Sequence, residues 1–204
     1  MDSKRIIILD DHTLFLKGMM LILKECYSKC DIIAYQSISK LKSDKLNFEK
    51  FDLLISDIEL PKEDTFGLFK SLKEDFPNLP ILVVSMHKKF SVIKKCKALN
   101  IEGYLLKDED EYLNEAIQTI INGETYYSKT VTDFCYRAQN SLNLLSQREE
   151  DVLKLFAKGF SNKIIAEKLF LSPETIKTHK KHIRLKLNLN NNQEIFEYCK
   201  KNLL

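Results

Sequence analysis

No apolar run in the 204-residue sequence approaches the roughly 18 residues that a membrane-crossing helix needs. Internal repeats and low-complexity tracts are missing too, which excludes a solenoid or fibrous chain. The five cysteines, at 26, 30, 96, 135 and 199, form no CxxC pair and accompany no His-rich ligand spacing. That scatter argues against a disulfide framework or a zinc site and predicts reduced thiols in a cytoplasmic protein. The first residues, Met1-Asp2-Ser3-Lys4-Arg5, run straight into a strand-like segment without the pattern of a signal peptide. No membrane partner is expected.

What is present is ordinary in bulk and uneven in place. A hydrophobic share of 44% and a charged share of 30% suit a globular protein with room for two modest domains. The net charge of +3 is not spread evenly. Residues 1–123 hold 18 Lys and Arg against 20 Asp and Glu, whereas residues 141–204 hold 12 against 7. Positive charge gathered in the last third suits a nucleic-acid partner.

In residues 1–123, buried-strand runs alternate with helical patterns. Strands are expected at Arg5–Leu9, Asp31–Tyr35, Leu53–Asp57, Ile81–Ser85 and Gly103–Leu106. Between and after them, helices are expected near Leu14–Cys26, Ile38–Leu46, Phe66–Phe76, Lys89–Leu99 and Asp110–Asn122. Five such alternations predict an α/β doubly wound, five-stranded parallel sheet. The strand ends carry Asp10 and Asp11, Asp57, Ser85 and Lys107. In a parallel sheet these ends open on one edge, so groups far apart in sequence converge. Clustered carboxylates need a cation, and hard oxygen ligands suit Mg²⁺. A Lys supplies counter-charge to a transferred phosphoryl group, a hydroxyl can donate to it, and Asp57 then reads as a nucleophile forming an acyl phosphate.

These motifs (ILDDH, LLISDIELP, ILVVSMH and GYLLKD) make the first 123 residues resemble the response-regulator receiver domain. The resemblance implies that Asp57 accepts phosphate from a histidine kinase. It also implies that Asp10, Asp11, Asp57 and the backbone carbonyl of Glu59 hold Mg²⁺. Lys107 would pair with the phosphate, and Ser85 and Tyr104 would form a switch pair. Thr65 departs from the pattern, standing where relatives commonly carry Gly.

Residues 124–140 show little periodicity and read as a linker with a short helix around Thr132–Arg137. From there helix starts crowd together. Ser146-Gln147-Arg148-Glu149 is a capping box, Ser161 caps a second helix, Ser172-Pro173 opens a third, and Asn192 caps a fourth. This predicts a small all-α, four-helix domain over residues 141–204 with a helix-turn-helix at its centre. On the third helix Ile176, Ile183 and Leu187 share one face, and Thr178 and Lys181 point the other way beside Lys177. The segment from Leu145 to Leu187 resembles the LuxR-type helix-turn-helix, and the whole chain resembles a NarL/FixJ-type transcriptional response regulator. That resemblance places the DNA contacts on Lys177, Thr178 and Lys181, with Lys180 on the phosphate backbone. It makes the last helix a dimerisation element.

The expectation is a DNA-binding homodimer controlled by phosphorylation and not a turnover enzyme. Two rivals stand beside it. One is a phosphorylation-independent regulator whose receiver serves as an interaction module. The other is a phosphohydrolase with an Asp nucleophile, for which Glu59 stands where the general acid Asp is needed.

Overall fold

The computed structural model describes residues 3–27, 29–86 and 88–202, with the side chains of 141–143, 201 and 202 left aside. Contacts divide the chain into two compact units, one of residues 1–87 and 95–131, the other of 88–94 and 132–204.

In the first unit the apolar runs become strands β1 (Lys4–Leu9), β2 (Cys30–Tyr35), β3 (Leu53–Ser56), β4 (Ile81–Ser85) and β5 (Gly103–Leu106). All neighbours are parallel, in the order β2-β1-β3-β4-β5. Each of the residues of β3, β4 and β5 is buried, as strands covered on both faces require. Helices α1 (Thr13–Cys26), α2 (Ile38–Ser43), α3 (Thr65–Asp75), α4 (Phe90–Ala98) and α5 (Leu113–Ile121) follow the strands in turn. On one face Ile6, Ile8, Leu53, Ile55, Leu82, Val84 and Leu105 pack with Leu16, Met19 and Leu23 of α1 and with Ala116, Ile117 and Ile120 of α5. The intervening residues Ile7, Leu9, Leu54 and Val83 are equally buried, on the opposite side of the pleat. Gly103 makes room here: a β-carbon would press on the side-chain ends of Ile120 of α5 and Leu82 of β4, which would have to shift.

Among the described residues the sheet has six strands, one more than the sequence reading. Tyr126–Tyr127 forms β6, parallel to β5. A two-residue strand is too short to show a periodicity of two. The stretch read as a linker continues into α6 (Lys129–Asn143), much longer than the short helix expected around Thr132–Arg137. Thr65, the departure from the receiver pattern, opens α3. Asp64 caps that helix by accepting from the Gly67 N–H at 2.9 Å.

Within the second unit, the chain after α6 forms α7 (Gln147–Ala157), α8 (Asn162–Leu169), α9 (Pro173–Leu187) and α10 (Asn192–Asn202). Its core joins Val152, Leu153, Ala157, Ile165, Ala166, Ile176, Ile183, Ile195 and Cys199. Ser146, Ser161 and Ser172 cap their helices as expected. The cap of α10 falls one residue earlier than expected. Asn191 Oδ1 accepts from the Glu194 N–H at 2.9 Å, and Asn192 is already helical. The cysteines are free, and burial pushes the Cys96 and Cys199 thiols up to about 12, which leaves them inert. Among the described residues no helix is long and apolar enough to cross a membrane.

Phe170 ends α8 in the left-handed region, φ 56° and ψ 45°, and the residue is 94% exposed. An exposed ring gains little from packing, while its β-carbon strains the backbone there. Phe170→Asn is therefore expected to stabilise the protein by about 1 kcal/mol. A thermal melt showing no increase would contradict that reading of the turn.

Candidate functional site

The strand order reverses between β1 and β3, and the crevice outside their C-terminal ends is where such sheets gather ligands. Asp57 directly follows β3, and its N–H donates to the Leu9 carbonyl of β1 at 2.8 Å, so the two strand ends are tied together. Its carboxylate is nearly buried. Oδ1 accepts from the N–H groups of Ile58 at 2.6 Å and Glu59 at 3.2 Å, while Oδ2 accepts from Lys107 Nζ at 2.8 Å. Lys107 follows β5 and is steadied by its N–H donating to the Ser85 carbonyl at 2.9 Å. The same ammonium pairs with Asp10 Oδ2 at 2.5 Å and lies over the Phe15 ring. Burial alone would pull Lys107 down, but the hydrogen bonds to Asp10 and Asp57 outweigh it and hold the ammonium above its ordinary pKa.

Asp10, Asp11, His12 and Asp57 can each present one ligand atom within 4.8 Å of the others. Asp10 Oδ2 and Asp11 Oδ1 are both buried oxygens, each with a nitrogen neighbour. The first faces the Lys107 ammonium and the second faces His12 Nδ1 at 3.1 Å. Three carboxylates against one ammonium leave acceptor oxygens in surplus, a donor set that fits a hard divalent cation such as Mg²⁺. His12 is the residue the sequence reading left without a role. Its Nδ1 lies 3.1 Å from Asp10 Oδ1 as well, so one imidazole touches both members of the acidic pair. The Asp-Asp-His run itself carried that signal.

Ser85 and Tyr104 also meet. Val83 and Tyr104 are paired across β4 and β5, Tyr104 is fully buried, and its hydroxyl hydrogen-bonds with that of Ser85. Burial pushes the Tyr104 phenol well above its ordinary range.

In the second unit the turn Phe170–Ser172 joins α8 to α9, a helix-turn-helix. Lys177, Thr178 and Lys181 are exposed on α9. Lys177 reaches Glu174 at 2.7 Å, and Thr178 Oγ1 donates to the Glu174 carbonyl at 3.1 Å. Lys180 does not join this outward face. Its side chain is buried, with Nζ donating to Asn162 Oδ1 at 3.2 Å and lying 3.7 Å from the centre of the Phe156 ring. Burial, followed by the charge of Arg184, lowers its pKa. The physical reason is helical spacing: residue 180 lies four after Ile176 and three before Ile183, on the core face.

Residues 6–120 match the family model described as the response regulator receiver domain, and residues 143–199 match that of bacterial regulatory proteins of the luxR family. The chain belongs to the luxR-type response regulators. The oxygen regulatory protein NreC of Staphylococcus epidermidis is 34% identical over 217 residues, covering 98% of this chain and 99% of NreC. NreC of Staphylococcus carnosus is also 34% identical, with the same coverage of both chains. Among solved structures, the RcsB response regulator of Salmonella typhimurium matches with a TM-score of 0.75 at 28% identity, covering 97% of this chain and 100% of that one. An RcsB–DNA complex matches with a TM-score of 0.72 at 28% identity, covering 98% and 99%. This response regulator thus joins a receiver to a luxR-type DNA-binding domain, the organisation of a transcription regulator.

One buried acid sets the frame of that DNA-binding domain. Glu149 Oε2 accepts from the Ser146 N–H at 2.7 Å, from Ser146 Oγ at 2.8 Å and from Lys186 Nζ at 2.6 Å. Burial would raise the carboxyl, but Lys186 and Ser146 outweigh it and hold it at about 2. A depressed folded pKa adds stability above the unfolded value of about 4.5 and loses it as pH falls toward 2. Denaturation midpoints taken from pH 5 to 2.5 are therefore expected to fall, and Glu149→Gln is expected to remove that part of the slope. An unchanged slope in the variant would assign the pH dependence elsewhere.

Proposed function

We propose that this response regulator is phosphorylated on Asp57 by a histidine kinase and that phosphorylation controls dimerisation, exposure of the DNA-binding helix, or both. The observation that supports this most directly is the Lys107 ammonium held between Asp10 and Asp57 at the switch point of the sheet. An oxygen of the Asp57 carboxylate attacks phosphorus, the phosphorus–nitrogen bond of the donor phosphohistidine breaks, and an acyl phosphate forms. The two backbone N–H groups on Asp57 Oδ1 orient the carboxylate for that attack. Asp10, Asp11, Asp57 and the backbone carbonyl of Glu59 would hold Mg²⁺, which when bound supplies positive charge against the phosphoryl oxygens. The chain consumes one phosphoryl group per cycle of its own Asp and is not a turnover enzyme.

The phosphoryl group adds about two negative charges beside Lys107. Ser85 is the nearest hydroxyl of β4 on this edge, and its turning toward the phosphoryl oxygens releases Tyr104. That two-position hydroxyl pair biases the receiver surface. The proposed division is a receiver over 1–123, a connecting segment over 124–140 and the DNA-binding domain over 141–204. RcsB has been solved on DNA and as dimers. By analogy the output here is a homodimer on promoter DNA, working in the cytoplasm. Lys177, Thr178 and Lys181 face the major groove and phosphates, and Lys180 is left inside as a support for α9.

Two experiments test the input and the output. Asp57→Asn is expected to abolish labelling by a small phosphodonor; retained label would place the acceptor elsewhere. Replacing Lys177 and Lys181 together by Ala is expected to weaken DNA binding. It should also make the log–log salt dependence shallower by about 0.9 for each DNA phosphate that is no longer neutralised. An unchanged salt slope would remove both residues from the interface.

A further inference from the structure

We infer that Ser128 is the positioning residue through which the receiver's switch strand controls the helix leading to the DNA-binding domain. This rests on the phosphorylation reading above and adds the route by which that signal leaves the sheet.

β6 is bonded to β5 at Glu102 and at Tyr104 itself. The Tyr126 N–H donates to the Glu102 carbonyl at 2.8 Å, and the Ser128 N–H donates to the Tyr104 carbonyl at 3.1 Å. The residue whose hydroxyl reads Ser85 therefore carries Ser128 on its own backbone. Ser128 has a second bond pointing onward. Its Oγ accepts from the Val131 N–H at 3.3 Å, a cap on the first turn of α6. Ser128 and Val131 are both buried, so neither bond has water to replace it. One buried residue thus holds β5 by its main chain and α6 by its side chain, with no intervening loop. A shift of β5 at Tyr104 must move the start of α6 or break one of these two bonds. The rest of β6 is anchored in parallel, since Tyr127 Oη donates to the Ile101 carbonyl at 2.8 Å. That makes β6 a rigid strip, able to transmit a displacement without absorbing it.

Ser128→Ala keeps the main-chain bond to β5 and removes the cap on α6. Three quantities are measured on full-length protein with and without a small phosphodonor: Asp57 labelling, DNA affinity and amide exchange at Val131. The expected result is normal labelling and unchanged affinity without phosphodonor. The phosphorylation-dependent gain in affinity should fall by about fivefold, and the exchange response at Val131 should be lost. Ser128→Asp, which restores a capping acceptor, is expected to recover the gain. A capping role confined to stability would lower affinity or melting temperature equally in both states and leave the gain intact; an intact gain in Ser128→Ala overturns the inference. Absence of label in the unmodified protein would instead defeat the phosphorylation reading, and the route with it. The labelling measurement keeps the two failures apart.

Discussion

Lys107 Nζ, buried between the carboxylates of Asp10 and Asp57, is the interaction around which the first unit is arranged. Burying an ammonium or a carboxylate alone is costly, and only close pairing with further hydrogen bonds repays it. The three groups lie about fifty residues apart along the chain, so local structure cannot bring them together. Parallel strands can, because every strand then ends on the same edge. That demand accounts for other features. Strands covered on both faces must be apolar throughout, which is why β3, β4 and β5 read as unbroken runs. A bare Gly103 lets Ile120 of α5 lie close against β5. One ammonium against Asp10, Asp11 and Asp57 still leaves acceptor oxygens in excess, a donor set that fits a hard cation.

The second unit meets a similar constraint with opposite consequences. Glu149 and Lys180 are charged and buried, and each ties α9 to a neighbouring element. Glu149 holds Lys186 while capping α7, and Lys180 holds Asn162 of α8 over the Phe156 ring. The proposed groove-reading helix is thus fixed from within at two levels. Its outward face takes no part in that anchoring, and Lys177, Thr178 and Lys181 are exposed on it.

Much of this was legible in the sequence because it follows from short-range rules. The apolar runs, the Ser146–Glu149 capping box and Pro173 at a helix start each depend on residues within one turn or one strand. The meeting of Asp10, Asp57, Ser85 and Lys107 was legible by one further step, that parallel strands share an edge. What was missed had weaker local signals. β6 is two residues long and exists through its bonds to β5, which no pattern in Tyr126-Tyr127 announces. Lys180 was misplaced because its charge was weighed above its helical position. Asn191 and Asn192 stand side by side, and only geometry decides which one caps α10. His12 had a legible place beside the acidic pair, yet its contact with both carboxylates depends on the turn after β1.

Magnitudes decide how much of the proposed signal one residue can carry. Couplings between distant sites are typically about 1–3 kcal/mol. A helix cap lost to Ala costs about 1 kcal/mol, or roughly fivefold in an equilibrium constant. Ser128 can therefore account for a large share of a modest coupling, and for only part of a strong one. The remainder would have to travel through the main-chain bonds of β6, which the loss of one hydroxyl leaves in place. Because those bonds hold β5 at Glu102 and at Tyr104 itself, the strand and the cap act in series. The cap sets how far a motion of β5 reaches into α6, and the strand sets whether it starts.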